Sequence, residues 1–213
     1  MERDLVSIKI GKNLLEGSLK IPQKAKGVVL FAHGSGSGRH SPRNQFVAQV
    51  LREGGIGTLL IDLLTEEEER VDEVDAHLRF DIQMLTKRVI SIVDWLHEEK
   101  TTKSLTVGLF GASTGAAAAL GAAAERKNLV KAVVSRGGRP DLAMPILSKV
   151  AAPTLLIVGG HDYEVIRMNE EALQKLRCEK KLTIVPDATH LFEEKGTLEE
   201  AAKHARDWFL KFL

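Results

Sequence analysis

Cysteine is nearly absent from this chain. Cys178 stands alone among 213 residues, so no intrachain disulfide can staple the fold, and a reducing, cytoplasmic setting is expected. Charge of one sign is missing too. Lys and Arg total 30 against 29 Asp and Glu, a formal net charge of +1. That gives no global attraction for polyanions, and no nucleic-acid partner is expected. No apolar run approaches the roughly 18 residues of a membrane-spanning helix. Residues 1–16 interleave charges with isolated apolar positions and lack the unbroken apolar centre of a secretory leader, so no membrane partner is expected either. Aromatic residues make up only 5%, which leaves the core to aliphatic side chains. A chain of this length can bury about 70% of its unfolded surface with them, and one domain over residues 1–213 is expected. His40, His77, His97 and His204 lack ligand spacing to one another, so no metal and no other cofactor is expected.

What the chain does have is short Val, Leu and Ile runs separated by longer, charged, amphipathic stretches. Residues 28–32, 58–62, 105–110, 129–134, 154–158 and 182–185 read as near-continuous apolar strands, the pattern of parallel strands covered on both faces. Helical patterns fall between them, at 42–53, 81–99, 114–126, 165–177 and 198–212. Residues 5–10 and 14–20 flank Gly11, Lys12 and Asn13 and read as an antiparallel hairpin at the sheet edge. The expected fold class is therefore α/β, a mostly parallel central sheet with an N-terminal hairpin and helices on both faces. Residues 66–75 (EEEERVDEVD) are compositionally odd, with seven acids and one base. They read as a solvated loop or the exposed start of a helix, or, since loops after parallel strands border the binding crevice, as a mobile flap beside the site.

Ligand sites in such sheets lie at the carboxyl ends of the strands, and three strand ends carry reactive chemistry. After 105–110 comes Gly111-Ala112-Ser113-Thr114-Gly115, followed at once by AAAALGAAA. A nucleophilic serine at a sharp strand-to-helix turn needs small neighbours on both sides, which this G-x-S-x-G supplies; the bland alternative is a helix-capping Ser113. Serine is a poor nucleophile unless an imidazole takes its proton and an acid holds the imidazole. The chain offers both in order: Gly159-Gly160-His161-Asp162 after strand 154–158, and Pro186-Asp187-Ala188-Thr189-His190 after 182–185. Asp141 and Asp187 compete with Asp162 for the acid role. The fourth piece is His33-Gly34-Ser35-Gly36-Ser37-Gly38 after strand 28–32. Its glycines let backbone N–H groups approach a tetrahedral oxyanion, with the amides of Ser35 and Thr114 as the expected donors. It is no phosphate loop, because no Gly-Lys-Ser/Thr follows, and Arg39 stands where a dinucleotide fingerprint needs glycine.

Hairpin, HGSGSG, long helix, GASTG, GGHD and ATH together resemble the α/β-hydrolase superfamily, specifically its small dienelactone-hydrolase-like branch, over nearly the whole chain. The resemblance implies an α/β-hydrolase fold, a Ser113, Asp162, His190 triad and hydrolysis through an acyl-enzyme. Dienelactone hydrolases carry cysteine at the nucleophile position where this chain has Ser113, and Cys178 lies elsewhere. The expectation is therefore a general carboxylic-ester or thioester hydrolase. Lactone hydrolysis, small-peptidase activity and a non-catalytic binding protein on the same fold stay open as alternatives.

Only 135–153 separates the fourth parallel strand from the fifth, too little for the cap domain many relatives insert there, so an open site for small ester substrates is expected. Arg39 and Arg43 after the first of these strand ends, and Arg136 and Arg139 in SRGGRPD, all fall on the crevice side. Guanidinium groups bind carboxylates in a fork, so these four are candidates for recognising an acidic substrate; the competing reading is pairing with Asp141, Asp81 or the acidic run. A homodimer or association with another enzyme domain is compatible with the sequence.

Overall fold

The computed structural model describes residues 5–213; the first four residues, part of the stretch read above as lacking a leader, lie outside it. Eight strands form one sheet: β1 (Leu5–Ile10), β2 (Asn13–Lys20), β3 (Gly27–Ala32), β4 (Gly57–Ile61), β5 (Thr106–Ala112), β6 (Val130–Arg136), β7 (Thr154–Gly159) and β8 (Lys180–Val185). Their spatial order is β1-β2-β4-β3-β5-β6-β7-β8. β1 and β2 pair antiparallel, β2 joins β4 antiparallel, and every pair from β4 to β8 is parallel. Asn13 belongs to β2, so the hairpin turn is two residues, with Gly11 supplying φ 59°; three turn residues were expected, and the left-handed glycine lets two suffice.

The central strands are buried throughout: every residue of β3, β4 and β7 is inaccessible. This follows from helices on both faces. On one side lie α3 (Ile82–Glu98), α4 (Thr114–Glu125) and α5 (Tyr163–Lys175), contributing Leu85, Val89, Ile92 and the α4 alanines to a core that also takes Ile8 and Leu15 of the hairpin. On the other lie α1 (Pro42–Glu53) and α6 (Thr197–Phe212), packing Val47, Leu51, Ala205 and Phe209 against Phe31 and Phe110. α4 is sandwiched between the sheet and α3, and its run of alanines permits that depth: a Cβ on Gly121 would lie 2.7 Å from Thr86 of α3.

The connection from β6 to β7 holds only a 3-10 segment, Pro140–Lys149, and no cap. The acidic run is neither loop nor unanchored flap. It is a helix, α2 (Glu66–Asp75), opened by a capping box between Thr65 and Glu68. Glu68 also receives both Arg88 amino groups, and Asp72 receives Arg79 Nε at 2.5 Å together with the backbone N–H groups of Leu78 and Arg79. Burial pushes both carboxyls up, but the donors outweigh it and hold them below the usual carboxylate range. Composition showed the acids; the bases that pair with two of them, the half-buried Arg79 and the buried Arg88, lie further along the chain. Among the described residues no helix is long and apolar enough to cross a membrane.

Candidate active site

The chain leaves β3 through α1 to β4 on one side, and returns through α3 to β5 on the other. The strand order therefore reverses between β3 and β5, which opens a crevice at their carboxyl ends. Ser113 stands there, with φ 50° and ψ −124°, a conformation that costs a non-glycine residue about 1–3 kcal/mol. Its flanking glycines are sterically required. A Cβ on Gly111 would run into Ala116, and one on Gly115 into the carbonyl oxygens of Ala32 and His33. The turn is clamped from β6: the Ser113 N–H donates to Arg136 O at 3.3 Å, and the Arg139 N–H donates to Ser113 O at 3.0 Å.

Asp162 ends the loop after β7 and begins α5, yet its side chain does not cap that helix. Its Oδ2 lies 2.6 Å from His190 Nδ1 instead. The rival acids are otherwise placed: Asp141 forms a two-bond fork with Arg139 at 2.8 and 2.9 Å, and Asp187 turns through φ 60° on the surface. The loop carrying His190 docks on the loop carrying Asp162, where a Cβ on Gly159 would strike the Ala188 carbonyl oxygen. Glu194, which nothing in the sequence singled out, braces the same loop by accepting from Thr189 N–H at 3.0 Å and Thr189 Oγ1 at 2.7 Å. Those two bonds hold its carboxyl below the usual range. Gly137, just past β6, lets this loop pack closely on the β6 end: a Cβ there would lie 3.2 Å from His190 O and 3.6 Å from its Cε1.

The 34–38 loop crosses directly over Ser113, since a Cβ on Gly34 would lie 2.8 Å from Ser113 Cβ. His33 supports that loop from below. Its Nε2 accepts the Leu63 N–H at 2.8 Å, so Nδ1 carries the proton and donates to Gly34 O at 3.0 Å. Burial lowers its pKa and keeps it neutral, against smaller opposing effects from Gly34 and Asp62. The Ser35 N–H, one of the two expected oxyanion donors, is engaged by Thr114 Oγ1 at 3.1 Å, and the two hydroxyls lie 3.0 Å apart. The Thr114 side chain is thus part of this arrangement, which the sequence, pointing only to its amide, did not foretell. Beside it opens a cleft of about 490 Å³, walled by the 34–38 loop, the first turn of α1 and α2.

The four arginines separate cleanly. Arg39 pairs with Asp62 and Glu16, Arg139 with Asp141, and the partly exposed Arg43 with Glu193 at 3.2 Å. Arg136 has no carboxylate partner among the described residues, and its Nε and Nη1 are buried without one. Asp81, another proposed partner, caps α3 through the Met84 N–H.

A mostly parallel sheet covered on both faces, with a strained serine at the β5–α4 turn and a histidine–carboxylate pair beyond β7 and β8, defines an α/β-hydrolase-fold protein. More narrowly, the chain belongs to the dienelactone hydrolase family, whose model matches residues 15–213. It is similar to a crystal structure of a dienelactone hydrolase from Anabaena variabilis, at 57% identity over 100% of this chain and 98% of that one, with TM-score 0.98. The fold is shared with Est1E from Butyrivibrio proteoclasticus, at 15% identity over 97% of this chain and 98% of that one, with TM-score 0.81. It is also 54% identical, over 98% of its length, to a Mycobacterium tuberculosis protein named "Putative phosphoribosyl transferase", of which it covers 46%. The chain thus spans about half the length of the curated relatives it matches.

Proposed function

We propose that this chain is a serine hydrolase that cleaves small carboxylic esters or thioesters through an acyl-enzyme on Ser113. The observation that carries the reading is the His190–Asp162 pair at 2.6 Å, with His190 packed against Gly137 next to the Arg136 carbonyl that holds the N–H of Ser113, itself at φ 50°. Asp162 holds Nδ1–H, leaving Nε2 free to accept the Ser113 proton as Oγ attacks the carbonyl carbon. The amides of Thr114 and Ser35 receive the charge that builds on the former carbonyl oxygen, the Ser35 N–H being released from Thr114 Oγ1 to do so. His190 then protonates the leaving alcohol or thiol, which departs. It next takes a proton from water, whose oxygen attacks the acyl-enzyme; collapse returns the proton to Ser113 and frees the acid. The net reaction is ester plus water to acid plus alcohol. The absence of a cap between β6 and β7 supports small or flexible substrates.

Steady-state hydrolysis of 4-nitrophenyl acetate and butyrate tests the reading. Turnover by wild type and its loss to background in Ser113→Ala is expected; equal rates in the two proteins would overturn it. The double length of the mycobacterial relative favours a second proposal, that the chain works joined to or alongside a phosphoribosyltransferase-type unit. Co-purification with such a unit from the source cells is its test, and a strictly homomeric protein there would count against it.

A further inference from the structure

One face of α5 is directed at the residues around Ser113, and it carries a polar side chain that the hydrolase reading leaves unused. Asp162, the residue that opens α5, and Asn169 stand two helical turns apart and so share a face. Asn169 is fully buried. Its Nδ2 donates to Val165 O at 2.8 Å and to Gly138 O at 3.0 Å. Two carbonyl acceptors use both amide protons and fix which end of the side chain is nitrogen. Its Oδ1 is buried with no partner among the described residues. A buried acceptor without a donor is destabilising, and leucine, which has the same side-chain branching, would not carry one. The amide therefore stands here in spite of its oxygen, and its nitrogen is what reaches a neighbouring element.

What the nitrogen holds is the exit from β6. Residues 136–139 lie between Ser113 and the His190 loop and are hydrogen-bonded in both directions. Arg136 O accepts the Ser113 N–H at 3.3 Å and the Arg139 N–H donates to Ser113 O at 3.0 Å, while the Gly137 N–H donates to Ile157 O of β7 at 2.8 Å. Gly137 turns through φ 51°, with His190 O only 3.2 Å from where its Cβ would be. A Cβ on Gly138 would run into Ser135 Oγ and Ala116 Cβ. With no side chain of its own at 137 or 138, the turn takes its position from outside, and Asn169 supplies the hydrogen bond that reaches it from α5. The same helix opens at the carboxylate that lies 2.6 Å from His190 Nδ1. One rigid element thus touches the histidine through Asp162 and the serine turn through Gly138.

We infer that Asn169 is a positioning residue: its side-chain amide fixes the 136–139 turn to α5 and so sets the spacing between Ser113 and the His190–Asp162 pair. The catalytic consequence rests on the ester-hydrolase reading, whereas the hold on the turn does not. Asn169 acts through Gly138, so its removal leaves the chemistry possible and misplaces its parts. The cleft walls, the 34–38 loop, α1 and α2, are not what Asn169 touches. The effect therefore falls on kcat more than on KM.

Amide hydrogen exchange followed by NMR tests the hold, in wild type, Asn169→Leu and Asn169→Ala; the alanine cannot overpack and guards against a leucine variant that does not fold. Exchange at Gly137 and Arg139 is expected to accelerate about tenfold, as for the loss of one hydrogen bond, while the β7 amides keep their protection. Unchanged exchange at those two amides, or an equal loss over the whole sheet, overturns the inference. Kinetics with 4-nitrophenyl butyrate and labelling of Ser113 by a fluorophosphonate test the consequence. A fall of about 10- to 100-fold in kcat and in labelling rate is expected, with KM altered less than about threefold. Local loosening with kcat and labelling unchanged, against a wild type that turns over, overturns the positioning role. Local loosening in a protein whose wild type neither hydrolyses the ester nor labels supports the hold on the turn and refutes the hydrolase reading instead.

Discussion

Replacing Asp162 with Asn keeps the size of the side chain and removes one charge, which isolates what the carboxylate does for His190. Oδ2 stands 2.6 Å from Nδ1, and in the proposed mechanism the full attraction arises only when His190 becomes an imidazolium during attack. Two unit charges about 4 Å apart at an effective dielectric constant near 20 attract by about 4 kcal/mol. His190 is 39% exposed, so solvent screening brings this to about 2 kcal/mol, roughly thirtyfold in rate. A second effect adds to it. The Asn amide can donate to Nδ1 and stabilise the tautomer whose Nε2 is already protonated, and in serine proteases the equivalent change costs about 10⁴ in kcat. The expected fall in kcat for 4-nitrophenyl butyrate therefore lies between about thirtyfold and about 10⁴-fold, with an unchanged urea midpoint. A fall smaller than tenfold in a folded variant would refute the assignment of Asp162, and Asp187→Asn would then be the next variant to measure.

Further outcomes follow from the geometry around that pair. Thr114→Val removes the acceptor that engages the Ser35 N–H; releasing an interaction of about 1 kcal/mol should raise kcat/KM up to about fivefold, whereas a large fall would mean that the hydroxyl itself stabilises the transition state. Gly115→Ala places a methyl group against the Ala32 and His33 carbonyls and should lower unfolding stability by about 3 kcal/mol, read from urea titration; an unchanged midpoint would contradict the packing at the turn. Asp72 is held below the usual carboxylate range by Arg79 and the Leu78 amide, so its contribution is fully present above the unfolded carboxylate pKa and is lost as pH falls through the lower folded value. Asp72→Asn should therefore cost about 3 kcal/mol at pH 7, with the gap to wild type closing progressively below about pH 4. A gap independent of pH would show that charge is not the cause.

The fold was legible because its signals are local. Buried parallel strands must be apolar nearly throughout, and β3 to β7 appear as such runs within two residues of their bounds. The turn at Ser113 was legible because its residues form one short motif; Gly111 is forced by nearby Ala116, whereas Gly115 is forced by the Ala32 and His33 carbonyls at the end of β3. Features that depend on partners distant in sequence were not. Glu68 of α2 looks solvated until Arg88, twenty residues on, is found against it; Asp72 and Glu194 have nearer partners, Arg79 and Thr189, but ones that only the turn of the chain brings round. Four arginines shared one sequence context on the crevice side. Only three-dimensional pairing distinguishes Arg39 and Arg139, held by carboxylates, from Arg136, which no carboxylate among the described residues holds. Thr114 was expected to offer an amide, and its hydroxyl became visible as a participant only once β3 and β5 were seen side by side.

The central claim, that Ser113 is an activated nucleophile, is tested most directly by mass spectrometry of the folded protein after treatment with a fluorophosphonate. The account predicts a single adduct on Ser113, absent in Ser113→Ala and formed far more slowly in His190→Ala. An unlabelled Ser113 in folded wild type, or the same labelling rate in His190→Ala, would contradict it.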